Sequence, residues 1–179
     1  DTLLWSPLLF NNNPYHKLVK GYKIVNDSDY NNPLSDCKLT EQLLNDELNK
    51  FNELDPNIQQ IYARLLSRSY AYSGFLELIN FKVKNIDIVS EISDLFKDDI
   101  CDSANINQLI KDNPIELAYA FSIISTKEDK SVLAYWLNIT HPKTQQILDD
   151  IRFKFCGQPT CVYCNSNLNP KKALQTYFR

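Results

Sequence analysis

The sequence predicts an all-α fold, an irregular helical bundle of about six or seven helices, and three observations predict it. Apolar residues recur at spacings of three and four through most of the chain, the period of one helix face. Pro stands directly after Asp, Asn or His (Asp55-Pro56, Asn113-Pro114, His141-Pro142) at the start of three such stretches. Only three of the 179 residues are Gly, too few for hairpin-rich β folds, whose turns need Gly at positive φ.

The elements follow in order. Residues 1–35 carry Pro7, Pro14 and Pro33, with Asn runs at 11–13 and 31–32. Turn chemistry of this kind predicts an extended arm. Trp5, Leu8, Leu9, Phe10 and Tyr15 make it apolar, so it packs against the body or serves a protein partner. A helical domain is expected over 36–155. Leu39, Leu43, Leu44, Leu48 and Phe51 predict a helix near 39–54. Asp55 then caps a helix over 56–73 with Pro56 at its first position, and Gly74 reads as its stop. Core and rim packing accounts for Tyr62, Tyr70 and Tyr72. Residues 75–84 are ambiguous: Ile79, Phe81 and Val83 alternate like a strand, yet a lone strand has nothing to pair with.

Helical spacing returns at Ile88, Val89, Ile92, Leu95 and Phe96, and again over 103–111. Asn113-Pro114-Ile115-Glu116 has the form of a capping box. The helix behind it is apolar on nearly every face, which predicts a buried central helix. Further helices are expected over 128–138 and after His141-Pro142. Residues 156–179 form a last, separate segment, a cysteine knuckle with a basic tail; the chain opens on Asp rather than Met, which also fits a fragment of something longer.

Composition excludes several functions. Scarce Gly argues against phosphate-cradling loops and dinucleotide fingerprints. A net charge of −3 and a pI near 5.4 are unlike a protein that binds nucleic acid over its whole surface. No apolar run reaches the roughly 18 residues a membrane helix needs, so no membrane partner is expected. The first residues lack the basic flank of a signal peptide. Two glycosylation sequons, at Asn26 and Asn138, are the number that Asn- and Ser-rich composition produces by chance. A cytoplasmic, reducing location is the expectation.

The chemistry concentrates at the C-terminal end. Five cysteines are present, an odd number that cannot pair completely within one chain. Cys37 and Cys101 stand alone and read as small buried hydrophobes. Cys156, Cys161 and Cys164 cluster as C-x4-C-x2-C. A C-x2-C turn brings two thiolates together with its amide hydrogens facing them, half of a tetrahedral zinc site. Cys156 is a candidate third ligand, and His141 or a residue further along the chain a fourth. A redox dithiol and plain structural cysteines are the competing readings. His141 also reads as a helix cap, and His16 as an exposed side chain. Asp98-Asp99 and Asp149-Asp150 read as surface charges, because adjacent helical residues do not converge.

Gln158-Pro159-Thr160-Cys161-Val162-Tyr163-Cys164-Asn165, following the aromatic and basic Arg152-Phe153-Lys154-Phe155, resembles the first zinc knuckle of HNH-type (ββα-metal) endonucleases, whose phage and defence-system members carry Cys-x-Tyr-Cys-Asn after a helical domain. The resemblance covers about ten residues of the 179. It implies that Cys161 and Cys164 help hold a structural zinc whose other ligands come from a later cysteine pair. The catalytic histidines of that family also lie after the first knuckle, and residues 166–179 contain no His, Asp or Glu. The resemblance therefore implies a nucleic-acid-associated protein without its catalytic half. Lys171, Lys172 and Arg179, with Tyr177 and Phe178 among them, add to Arg152 and Lys154 as candidate phosphate and base contacts. The alternative is a non-catalytic helical interaction protein of viral or effector type, with structural cysteines and the N-terminal arm against a protein partner.

Overall fold

The structure is a computed structural model and describes residues 2–12, 33–125, 133–152, 156 and 158–166. These form ten helices and no strand. They are α1 (Thr2–Leu9), α2 (Pro33–Glu53), α3 (Pro56–Leu66), α4 (Tyr70–Leu78), α5 (Ile88–Leu95), α6 (Ile106–Asp112), α7 (Pro114–Ser125), α8 (Leu137–Thr140), α9 (Lys143–Arg152) and α10 (Val162–Asn165). The all-α expectation holds. The helix count is higher than expected because an N-terminal helix appears, one long stretch divides, and two one-turn helices are present.

Helix α7 is the axis of the bundle. From Leu117 to Ile124 every residue is buried, and α1, α3, α6 and α9 pack around it. Asn113 and Glu116, expected to close a capping box, turn outward to partners elsewhere. The Asn113 oxygen accepts from Lys143 Nζ at 3.1 Å, and Glu116 Oε1 lies 3.4 Å from His141 Nδ1.

The extended arm is corrected in its first part. Residues 2–9 are helical, and Trp5 is 0% exposed, stacked on Phe75 with ring centroids 4.3 Å apart and edge-on to Phe51 at 5.7 Å. Burying so large a ring outweighs the local turn preference of the surrounding Pro and Asn. Polar groups tie this helix down as well. Tyr119 Oη donates to Leu4 O at 2.9 Å and lies 2.7 Å from Tyr72 Oη. Trp5 Nε1 donates to Tyr72 O at 3.3 Å, and Asn11 Nδ2 bonds Ser122 O. Residues 13–32 of the expected arm lie outside the described residues, and its last three, Pro33 to Ser35, are not extended but open α2, which starts six residues before the helix expected from 39.

The helix expected over 56–73 breaks near Ser67–Ser69. Asp55 caps its start as expected, accepting from Asn57 N at 2.8 Å. Gly74 is not a stop but sits inside α4. That helix ends instead at Asn80, whose φ is +50°. Asn tolerates this left-handed conformation, and Phe81 N then reaches back to Leu76 O at 2.9 Å, the bond that closes a Schellman turn. The strand-like pattern after it has a different partner from a strand. The Gln60 side chain donates to Lys82 O at 3.2 Å and accepts from Lys84 N at 2.9 Å. One carboxamide thus supplies the bonds a neighbouring strand would. The helix expected over 128–138 is also corrected. Residues 126–132 are outside the described set, and 137–140 form only the one-turn α8.

Candidate metal centre

Four cysteine sulfurs meet at one end of the bundle, those of Cys101, Cys156, Cys161 and Cys164, all within 4.8 Å of one another. The three sequence-predicted residues are brought together. The fourth member, Cys101, comes from the α5–α6 connection. Its burial was expected (1% exposed), but its role as a small hydrophobe was not the whole account. Cys37, expected to be buried, is exposed and outside the set. His141 is outside it too and faces Glu116.

Local structure holds each sulfur. Cys101 N donates to Ile151 O at 2.9 Å, pinning the α5–α6 connection to the last turn of α9. Beyond α9, Cys156 and residues 158–161 precede α10. Cys161 is the N-cap of α10, its Sγ accepting from Cys164 N at 3.4 Å and from Asp102 N at 3.5 Å. Asn165 clamps the turn: its Nδ2 reaches the carbonyls of Gln158 at 3.1 Å, Pro159 at 2.8 Å and Cys161 at 2.9 Å. Tyr163 is 5% exposed and packs in the same small core as Cys101, Cys161 and Cys164. Burial pushes its hydroxyl up to about 12, with the Arg152 charge pulling the other way.

The sulfur separations bear on chemistry. Cys101 Sγ is 3.4 Å and Cys156 Sγ 3.6 Å from Cys164 Sγ. A disulfide bond is about 2.05 Å. A tetrahedron of sulfurs at about 2.3 Å from zinc has edges of about 3.8 Å, so the set fits a four-thiolate ion site.

The thiols also compete for charge. Burial raises Cys101, but bonds from Ser103, Cys164 and Cys156 outweigh it and bring it down to about 7. Cys164 is raised, first by burial and also by its sulfur neighbours. One thiolate is therefore favoured at the expense of the next. For several of these thiols to ionise together a cation would be needed among them, which a bound divalent metal would supply. With four protein ligands such a site has no open position, the arrangement of structural rather than catalytic zinc.

Cys101 lies far from the other three cysteines in sequence, and no local spacing marks it. The one signal was arithmetic: three clustered cysteines lack a fourth ligand, and two single cysteines were available. Among the described residues no helix is long and apolar enough to cross a membrane. The acidic pairs at 98–99 and 149–150 are exposed, as expected. The basic tail, residues 167–179, and His16 lie outside the described residues.

The fold and site define a class, an all-α domain with a cluster of three buried cysteines and a half-buried fourth that could hold a metal ion. No protein-family model, curated protein or solved structure matches the chain.

Proposed function

We propose that this chain is the helical body and first zinc knuckle of a nucleic-acid-associated protein of the HNH-like class, with a structural zinc on Cys101, Cys156, Cys161 and Cys164. The observation that carries the reading is the knuckle, where each named position of Cys-x-Tyr-Cys-Asn has a task. The two cysteines face the cluster, Tyr163 fills the core behind them, and Asn165 clamps the turn. On this reading Cys101 and Cys156 would supply the two ligands that the resemblance assigns to a later cysteine pair, a departure from that pattern. No residue of this chain is assigned a catalytic role. On this reading zinc fastens the knuckle to the bundle next to Arg152, and Lys154, Lys171, Lys172 and Arg179 are the further phosphate contacts named by the sequence.

The test pairs metal analysis with binding of a labelled DNA duplex at several salt concentrations. The reading expects one zinc per chain and an affinity that falls as salt rises. Cys161→Ser and Cys164→Ser should lose the zinc and weaken DNA binding. Absence of zinc, or of salt-dependent binding to nucleic acid, overturns it. A second reading has its own observation. Tyr70 and Leu78, two turns apart on α4, are 96% and 61% exposed, a surface suited to a protein partner. Zinc without nucleic-acid binding favours that reading.

A further inference from the structure

We propose that Cys156 is a peroxide-reactive sulfur with Cys164 as its resolving partner, and that the disulfide they form opens the metal site, a regulation that rests on the zinc reading above. The four sulfurs of the cluster are not equivalent. Cys101, Cys161 and Cys164 are 1%, 0% and 1% exposed, whereas Cys156 is half-buried. An oxidant in solution therefore meets Cys156 first, because reaction at a thiolate requires access as well as charge.

The surroundings of the other sulfurs select the partner. Cys161 Sγ is held by two backbone amides, Asp102 N at 3.5 Å and Cys164 N at 3.4 Å. Cys101 Sγ lies 3.2 Å from Ser103 Oγ. Cys164 Sγ lies 3.6 Å from Cys156 Sγ. Closing that gap to the disulfide length of about 2.05 Å takes a shift of about 1.5 Å. Cys156 stands outside the helices, so it can make this shift without breaking a helical hydrogen bond. The two residues are eight apart in sequence, and the bond they form spans the turn that leads into α10.

The oxidant is hydrogen peroxide. A metal-coordinated cysteine is a thiolate. The Cys156 sulfur attacks one peroxide oxygen, the O–O bond breaks, and the departing hydroxide takes a proton from solvent and leaves as water. Cys156 is then a sulfenic acid. The Cys164 thiolate attacks that sulfur, an S–S bond forms, the S–O bond breaks, and a second hydroxide leaves as water in the same way. The two sulfurs together lose two electrons, and one peroxide becomes two waters with the uptake of two protons. Only Cys101 and Cys161 remain as thiolates, half of a four-ligand set, and the ion passes to solvent. A thiol reductant restores both sulfurs.

The test treats the reduced, zinc-loaded full chain, carrying Cys37→Ser to remove the exposed thiol outside the set, with hydrogen peroxide. Zinc release is followed with a chromogenic chelator, and the bond is mapped by mass spectrometry. One zinc released per Cys156–Cys164 disulfide, with the bond reversed by dithiothreitol, is the expected result. Cys156→His keeps a zinc-ligating nitrogen but no oxidisable sulfur, and should release zinc at least tenfold more slowly. The proposal is overturned by a first disulfide that joins Cys161 to Cys164 or includes Cys101, by zinc release without a disulfide, or by release from Cys156→His at the wild-type rate. The mapped bond decides even where that variant fails to fold. Zinc content before oxidation tests the underlying reading separately: a zinc-free chain overturns that reading, and the same mapping on it still supports or overturns the Cys156–Cys164 pair.

Discussion

If the four-cysteine cluster holds the proposed zinc, replacing Cys101 with serine removes the one ligand that joins the knuckle to the middle of the chain. Cys101 and Cys164 are separated by 63 residues, and a metal on both closes that loop in any state that keeps the ion bound. Loop-closure entropy for a cross-link of this span amounts to about 4 kcal/mol. For a chain of this size, 1 kcal/mol shifts the melting temperature by roughly 2–4 °C, so the staple corresponds to roughly 8–16 °C. The assay is thermal unfolding of the zinc-loaded protein, with and without a strong chelator, for wild type, Cys101→Ser and the exposed-cysteine control Cys37→Ser. Chelation should lower the wild-type midpoint by that amount. Cys101→Ser should start close to the chelated wild type and respond little to chelator, while Cys37→Ser should follow wild type. A Cys101→Ser variant that keeps one tightly bound zinc and the wild-type midpoint would refute Cys101 as a ligand.

Two further outcomes follow from single side chains. Glu47, raised by burial from 4.5 to about 8, holds a proton in the folded state that the unfolded chain has released. Its contribution to stability is therefore full below pH 4.5 and is lost as pH rises toward 8, a span of roughly 4–5 kcal/mol at most. Glu47→Gln should remove this slope and unfold at higher denaturant concentration than wild type at pH 8; an unchanged pH profile in urea titrations counts against a buried neutral carboxyl. Asn165→Ala removes the amide that ties Gln158, Pro159 and Cys161, at a cost of about 1–3 kcal/mol. It should release zinc to a chromogenic chelator about tenfold faster or more, and an unaltered rate would mean that the clamp does not shape the site.

Much of the fold was legible because its signals are local. Asp55-Pro56 starts α3 where capping chemistry places it, and the all-apolar run behind Asn113-Pro114 is the buried axis. The departures arise where a distant contact overrides a local preference. Trp5 takes a Pro- and Asn-rich start into the core as helix α1. Asn80, rather than Gly74, ends α4, because its left-handed turn is completed by the Phe81-to-Leu76 bond. The alternation at Phe81 and Val83 resembles a strand, yet the partner is the side chain of Gln60, which no periodicity reveals. The site divides in the same way. Cys161 and Cys164 are visible as a motif and Cys156 as its neighbour. Cys101 enters only because Cys101 N bonds Ile151 O and carries the α5–α6 connection to the end of α9. His141, adjacent in sequence terms to the last helix, is drawn to Glu116 instead.

The proposed site requires four thiolates of this chain on one zinc ion. X-ray absorption at the zinc edge of the purified full chain measures it most directly. One zinc per chain with four sulfur neighbours at about 2.3 Å is expected, falling to three in Cys101→Ser. A shell of two sulfurs completed by nitrogen or oxygen, or a metal-free protein with its cysteines paired as disulfides, would contradict it.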